Sequence, residues 1–80
     1  MYLAEYKLFD GEATITFNIV FINSRKREIQ VAVTNRGKIS IITYDLYDME
    51  NEPYFEYGCD YTKIYINEFK EYKQWNLMNL

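Results

Sequence analysis

Carboxylates and tyrosines alternate through the middle of the chain, and they are the residues best suited to do chemistry. Residues 39–62 contain no basic side chain and six acidic ones: Asp45, Asp48, Glu50, Glu52, Glu56 and Asp60. Six tyrosines lie among them within 22 residues: Tyr44, Tyr47, Tyr54, Tyr57, Tyr61 and Tyr65. Paired carboxylates can transfer protons or bind a hard cation, and tyrosine offers a large rigid contact surface with a polar tip.

Catalysis and metal binding both lack the residues that they need. The chain has no histidine, which removes the commonest general base and most zinc sites. Its three glycines form no phosphate-binding loop. A calcium loop starting at Asp48 would have Pro53 in place of its glycine and Cys59 in place of its bidentate glutamate. We therefore expect no enzyme, no cofactor and no dedicated metal site.

Charge is distributed unevenly along the chain, although the net charge is only −3. Residues 24–38 carry five basic side chains against one acidic. The triplet Arg25-Lys26-Arg27 could contact nucleic-acid phosphates, but Arg36 and Lys38 would project from the opposite end of a meander. Alternatively, the basic turn and the acidic turn at residues 48–52 project from the same end and neutralise each other.

Composition indicates one small folded domain spanning residues 1–80. Apolar residues make up 49% of the chain, enough to offset the entropy of ordering, although a domain of this size has a thin core. The single Cys59 excludes an internal disulfide, so we expect a reducing cytoplasm and a cysteine buried in the core. The N-terminus shows no signal pattern, and no apolar run approaches the roughly 20 residues that span a bilayer.

Period-two alternation predicts strands at residues 2–9, 13–22, 28–34, 38–46, 54–58 and 63–66. Asp10-Gly11 and Arg36-Gly37 favour tight hairpin turns, and Pro53 favours a strand that starts immediately after it. The strand at 38–46 has apolar residues on both faces. It is therefore expected to be a central strand covered on both sides, or to contain a bulge near Ile41.

The end of the chain has the pattern of a short amphipathic helix over residues 67–76, with Asn67 as its N-cap. The expected fold class is mostly β (α+β). It is a single small antiparallel β-meander or partly closed barrel of about five to six strands with one short C-terminal helix.

The function that this pattern favours is a protein-binding module with an acidic, tyrosine-rich surface. The predicted partner-binding residues are Tyr47, Asp48, Glu50, Glu52, Tyr54 and Glu56. In general character, a tiny, acidic, tyrosine-rich chain without histidine resembles the small accessory proteins of phages and mobile elements that inhibit host nucleic-acid-handling proteins, of the anti-defence or anti-CRISPR type. That resemblance implies inhibition by occupancy, with carboxylates meeting a basic partner surface.

Two other functions fit the same sequence. The first is a structural or self-assembling oligomeric subunit, a homodimer for example, that uses an exposed strand edge and the apolar C-terminal residues. Its candidate oligomerisation residues are Trp75, Leu77, Met78 and Leu80, although completion of the core is the favoured role for these residues. The second is weak nucleic-acid binding through Arg25, Lys26 and Arg27.

Overall fold

The described part of the chain forms seven β-strands and one turn of 3-10 helix. The computed structural model describes the backbone of residues 2–73 and the side chains of residues 4–71. The strands are β1 Tyr2–Asp10, β2 Ala13–Asn23, β3 Glu28–Asn35, β4 Lys38–Asp45, β5 Tyr54–Tyr57, β6 Thr62–Tyr65 and β7 Lys70–Lys73, and the 3-10 turn spans Ile66–Glu68.

Five of the strands form one antiparallel sheet in the order β4-β3-β2-β1-β7, and β5 and β6 form a separate two-stranded hairpin. The connection from β3 to β4 has two residues, Arg36 and Gly37, with φ angles of 53° and 79°. Two consecutive positive φ angles are characteristic of a type I′ turn, whose twist matches that of the strands it joins. This turn keeps β3 and β4 in one unbroken register from Asn35↔Lys38 to Glu28↔Asp45.

The core lies between the large sheet and the hairpin. Its buried side chains come from β2, β3, β5, β6 and the residue after β4: Ile15, Phe17, Ile29, Val31, Val33, Leu46, Phe55 and Ile64. Phe17 of the sheet meets Phe55 and Tyr57 of the hairpin edge-on, with ring centroids 5.9 Å and 5.0 Å apart. These aromatic contacts hold the hairpin against one face of the sheet.

The opposite face of the sheet, which we call the outer face, carries several exposed apolar side chains. Phe9, Phe21, Ile39 and Ile41 are each more than half exposed on it. Phe21 lies there because a bulge shifts the register of β2 between Ile19 and Phe21, so that Phe21 pairs with Gln30. The sequence alternation placed Phe21 in one row with Ile19, and the bulge separates them onto opposite faces.

The expectations for the fourth strand are wrong on both counts. β4 is the edge strand of the sheet, and its pairing with β3 contains no bulge. Its apolar residues occupy both faces, with Ile42 and Tyr44 on the core side and Ile39 and Ile41 on the outer side. The real bulge lies two strands earlier in the sequence, in β2.

The fold class is confirmed as mostly β and antiparallel, but the C-terminal helix is wrong. Within residues 67–73 the chain ends a single 3-10 turn at Glu68 and then forms β7, which pairs with β1. Asn67 lies inside that turn and is not its N-cap. The free edge of β1 supplies long-range hydrogen bonds that local periodicity cannot predict. Over residues 2–73 the sheet does not close into a barrel. No described helix is long and apolar enough to cross a membrane.

Candidate functional site

A recess of about 400 Å³ opens where the C-terminal half of β4 meets the β5–β6 hairpin. We call it the acidic tyrosine recess. The residues that line it are Thr43, Tyr44, Asp45, Tyr47, Glu56, Gly58 and Tyr61. They come from β4, from the segment that follows it, from β5 and from the turn between β5 and β6.

The crossing from the large sheet to the hairpin positions the middle of the recess. Leu46 is buried, and its N–H donates to the Arg27 carbonyl at 2.8 Å, which anchors the chain as it leaves β4. Tyr47 then pairs with Tyr54 through two backbone hydrogen bonds of 2.9 and 3.1 Å. These hydrogen bonds fix the backbone of the crossing, and the Tyr47 side chain remains 42% exposed.

The hairpin supplies the other wall. Phe55 and Tyr57 face the core, whereas Tyr54 and Glu56 lie on the opposite row of β5, as the sequence alternation predicts. The turn after β5 holds Gly58 and Tyr61 at positive φ angles of 79° and 53°. A hydrogen bond of 3.2 Å from Tyr61 N to the Gly58 carbonyl closes this turn, and the Tyr61 side chain remains 68% exposed.

Two carboxylates act on one phenol in this recess. The pKa of Tyr47 is raised above its ordinary value, first by desolvation and then by the negative charges of Glu56 and Asp45. The pKa of Tyr44 is also raised, mainly by burial against the hairpin. Both phenols therefore stay neutral at physiological pH. An electronegative recess lined by aromatic rings is suited to a guanidinium or ammonium group.

A second aromatic feature, the tyrosine ladder, crosses the outward side of the hairpin. The Tyr54 ring lies between those of Tyr47 and Tyr65, with centroid distances of 5.5 and 5.4 Å. The Lys63 ammonium lies 4.9 Å from the centroid of the Tyr54 ring. Tyr54 already holds a cation of its own chain, so the recess beside Tyr47 is the more available of the two aromatic surfaces.

The predicted partner-binding residues divide into two groups. Tyr47 and Glu56 line the recess, and Tyr54 contacts Tyr47. Asp48, Glu50 and Glu52 lie on the exposed turn that follows and are not among the lining residues. Asp48 organises that turn, because its carboxylate accepts from the Asn51 side chain at 3.1 Å and from the Glu52 N–H at 3.4 Å.

Sequence reasoning missed five of the seven residues that line the recess: Tyr44, Asp45, Tyr61, Thr43 and Gly58. The first two belong to the same run of acids and tyrosines, but their sequence distance from Glu56 gave no sign that they share a site. The hairpin folding back toward β4 brings them together. The sequence signal for Tyr61 was Gly58, because a glycine favours the positive φ angle of a tight turn. That turn, at residues 58–61, lies beside β4.

The basic triplet Arg25-Lys26-Arg27 lies exposed in the loop between β2 and β3. The Lys26 N–H donates to the Asn23 side chain at 3.2 Å, and Arg27 has a positive φ of 54°. Because the Arg27 carbonyl accepts from Leu46, this loop lies at the end of the sheet where the acidic segment begins. Arg36 and Lys38 lie at the opposite end of β3 and β4.

The expectation that Cys59 is a core residue is wrong. Its side chain is exposed in the turn after β5, where Gly58 has reversed the chain direction. In the described part of the chain, no three acidic, cysteine or histidine side chains cluster closely enough to hold a metal ion. The candidate oligomerisation residues Trp75, Leu77, Met78 and Leu80 lie outside the described residues.

An apolar groove of about 460 Å³ lies on the core side of the sheet, beside the β2 bulge. Ile19, Ile22, Ile66 and Phe69 form most of its apolar wall. Glu71 is the one ionisable side chain in its lining. The groove therefore offers apolar contact and little chemistry.

Comparisons of this chain with protein-family models, with curated proteins and with solved structures find no match. Its function is therefore inferred from its own side chains.

Proposed function

We propose that this chain is a non-enzymatic protein-binding module that holds a basic side chain of a partner protein in the acidic tyrosine recess. One observation supports this most directly. Asp45 and Glu56 line the recess together with Tyr47, and the negative charges of both contribute to the raised pKa of its phenol. Two carboxylates on different elements thus line one small volume, where both can accept hydrogen bonds from one cationic group.

The dimensions and chemistry of the recess suit an arginine or lysine side chain. Carboxylates accept charge-assisted hydrogen bonds from a guanidinium, and the rings of Tyr44, Tyr47 and Tyr61 offer faces for cation–π contact. Tyrosines lose little conformational entropy on binding, because they have few rotatable bonds. The net charge of −3 would also speed the encounter with a basic surface at low salt.

The class of partner follows from where basic side chains are concentrated. Grooves that handle nucleic acid are lined with arginine and lysine, so a module that occupies such a groove would block it without catalysis. The proposed role is inhibition of a nucleic-acid-handling host protein in the cytoplasm, as in the small accessory proteins of phages. An exposed free thiol at Cys59 is compatible with a reducing compartment.

The test compares two variants of equal charge. Asp45→Asn with Glu56→Gln removes both carboxylates of the recess, whereas Glu50→Gln with Glu52→Gln removes two carboxylates of the neighbouring exposed turn. Binding of a labelled arginine-rich peptide is measured by fluorescence anisotropy at low and at high salt. We expect the first variant to weaken binding about tenfold or more, and the second to weaken it less than threefold, because exposed charges act mainly through screened long-range attraction.

Equal weakening by the two variants would overturn the proposal, because it would show that net charge alone governs binding. Far-UV circular dichroism of both variants controls for loss of fold.

A further inference from the structure

The two edges of the large sheet differ in their chemistry. The β7 edge, Lys70–Lys73, has three charged residues among four, a composition that discourages further strand pairing. The β4 edge is eight residues long and carries charge only at its ends, at Lys38 and Asp45. Between them Ile39, Ile41 and Ile42 are exposed, and neither proline nor a bulge interrupts the strand. An edge of this kind is a template for another strand.

The backbone groups available on the β4 edge can be identified from its ends. The two-residue turn makes Asn35 and Lys38 a hydrogen-bonded pair, and the 2.8 Å bond from Leu46 N to the Arg27 carbonyl continues the ladder at the other end. Hydrogen-bonded and non-bonded pairs alternate along antiparallel strands. Even-numbered residues of β4 therefore bond to β3. Four residues direct their N–H and C=O groups outward: Ile39, Ile41, Thr43 and Asp45.

We propose that a second copy of this chain pairs with this edge, β4 against β4 in antiparallel orientation, with Ile41 on the two-fold axis. The outward N–H and C=O groups of Ile41 then form hydrogen bonds with the same groups of Ile41 in the second copy. The outward groups of Ile39 bond in the same way to Thr43 of the second copy. Antiparallel partners share a face of the sheet, so Ile41 also packs against its own copy on the outer face. The interface is isologous, and it joins the two large sheets into one.

Charge complementarity selects the second copy as the occupant. β4 begins at a basic turn that contains Arg36 and Lys38 and ends at the acidic tyrosine recess. In this register Lys38 of the second copy lies opposite Tyr44, at the mouth of the recess that Asp45 and Glu56 also line. Parallel pairing would instead bring like charges together. The inference rests on the proposed function, because the ammonium group of the second copy fills the recess assigned there to a basic partner.

Sedimentation equilibrium from low micromolar to near-millimolar concentration tests the interface. The informative pair is Ile41→Lys and Phe9→Lys. Both place one positive charge at an exposed apolar position of the outer face, but Phe9 lies on β1, away from the β4 edge. We expect a dimer for the unaltered chain, at least tenfold weaker association for Ile41→Lys, and about unchanged association for Phe9→Lys. A monomer at every concentration, or equal weakening by both variants, would overturn the proposal.

A charge exchange tests the contact at the recess. Lys38→Glu and Glu56→Lys should each weaken association several-fold, and the double variant should recover most of the loss, because the opposite charges are restored across the interface. A double variant as weak as the single ones would overturn the placement of Lys38.

The peptide assay, applied to Ile41→Lys, separates the two proposals. If the unaltered chain is monomeric and Ile41→Lys still binds the peptide, self-association is refuted while the proposed function stands. If the charge exchange restores a dimer while loss of Asp45 and Glu56 leaves peptide binding intact, the proposed function is refuted and the dimer stands.

Discussion

Tyr44 connects the recess to the core. Its ring stacks on Phe55 with centroids 4.7 Å apart, and its pKa is raised above 10.0 by burial and then by Tyr57. The folded protein therefore keeps the phenolic proton to a higher pH than the unfolded chain does. The contribution of the Tyr44 phenol to folding stability is fully present below about pH 10, which is its pKa in the unfolded chain. That contribution is lost as the pH rises through its pKa in the folded protein.

Replacing Tyr44 with phenylalanine should consequently make stability less sensitive to alkali. Urea unfolding between about pH 8 and pH 11 measures this, and the variant should lose less stability over the upper part of that range than the unaltered chain. The stacked ring is preserved in the variant, so a difference in slope reports the hydroxyl group. An equally steep loss in both proteins would show that other groups cause the alkaline destabilisation.

At the scale of elements, the turn between β3 and β4 controls the site most directly, because it sets the register of β4. Gly37 has a φ of 79°, and a Cβ placed there would meet no atom within 4 Å. The penalty for a side chain at this position is therefore one of backbone conformation.

Gly37→Ala is expected to destabilise the protein by about 1 kcal/mol, and Gly37→Asn by clearly less, because asparagine tolerates the left-handed region. Chemical denaturation of the two variants measures the difference, and each adds a Cβ in the same open space. Equal losses of stability would contradict a conformational origin.

The pairing of β7 with β1 also explains why the prediction of a C-terminal helix is wrong. Phe69 packs near Tyr6 and Phe55, with ring centroids 5.6 and 6.4 Å away, which gives the segment an apolar side. A single 3-10 turn followed by an extended residue satisfies that contact, and β7 then gains a partner in β1. Periodicity detects the apolar side but not the free edge of a strand some 65 residues earlier.

At the scale of the whole molecule, the two proposals describe competing uses of one recess. Lys38 of a second copy and a basic side chain of another protein cannot occupy it together. Binding of either one therefore weakens binding of the other by mass action. The dimer would be the form of the protein without its partner, and the monomer the form that binds.

An arginine-rich peptide should accordingly shift the protein from dimer to monomer. Sedimentation velocity at fixed protein concentration and increasing peptide concentration measures the shift, with a glutamate-rich peptide of equal length as the control. Dimer dissociation that follows peptide saturation is expected. Peptide binding that leaves the dimer intact would contradict a shared recess.

Local pattern alone determined much of this protein. Alternation located the first strands and placed Phe55 and Glu56 on opposite faces of β5, because inward and outward positions repeat every two residues in a strand. The residue types also determined the chemistry of the middle segment, which is rich in carboxylates and tyrosines and free of histidine.

Only the tertiary structure decided which strand forms an edge, which segments pair, and which acids meet. Isoleucines on both faces of β4 predict a covered strand, yet β4 lies at an edge because the next strands, β5 and β6, pair with each other and not with β4. Asp45 and Glu56 share a recess because the hairpin folds back onto the sheet, and Cys59 is exposed because it lies in the turn of that hairpin. Propensity and periodicity act over a few neighbouring residues, whereas edges and sites arise from contacts between distant ones.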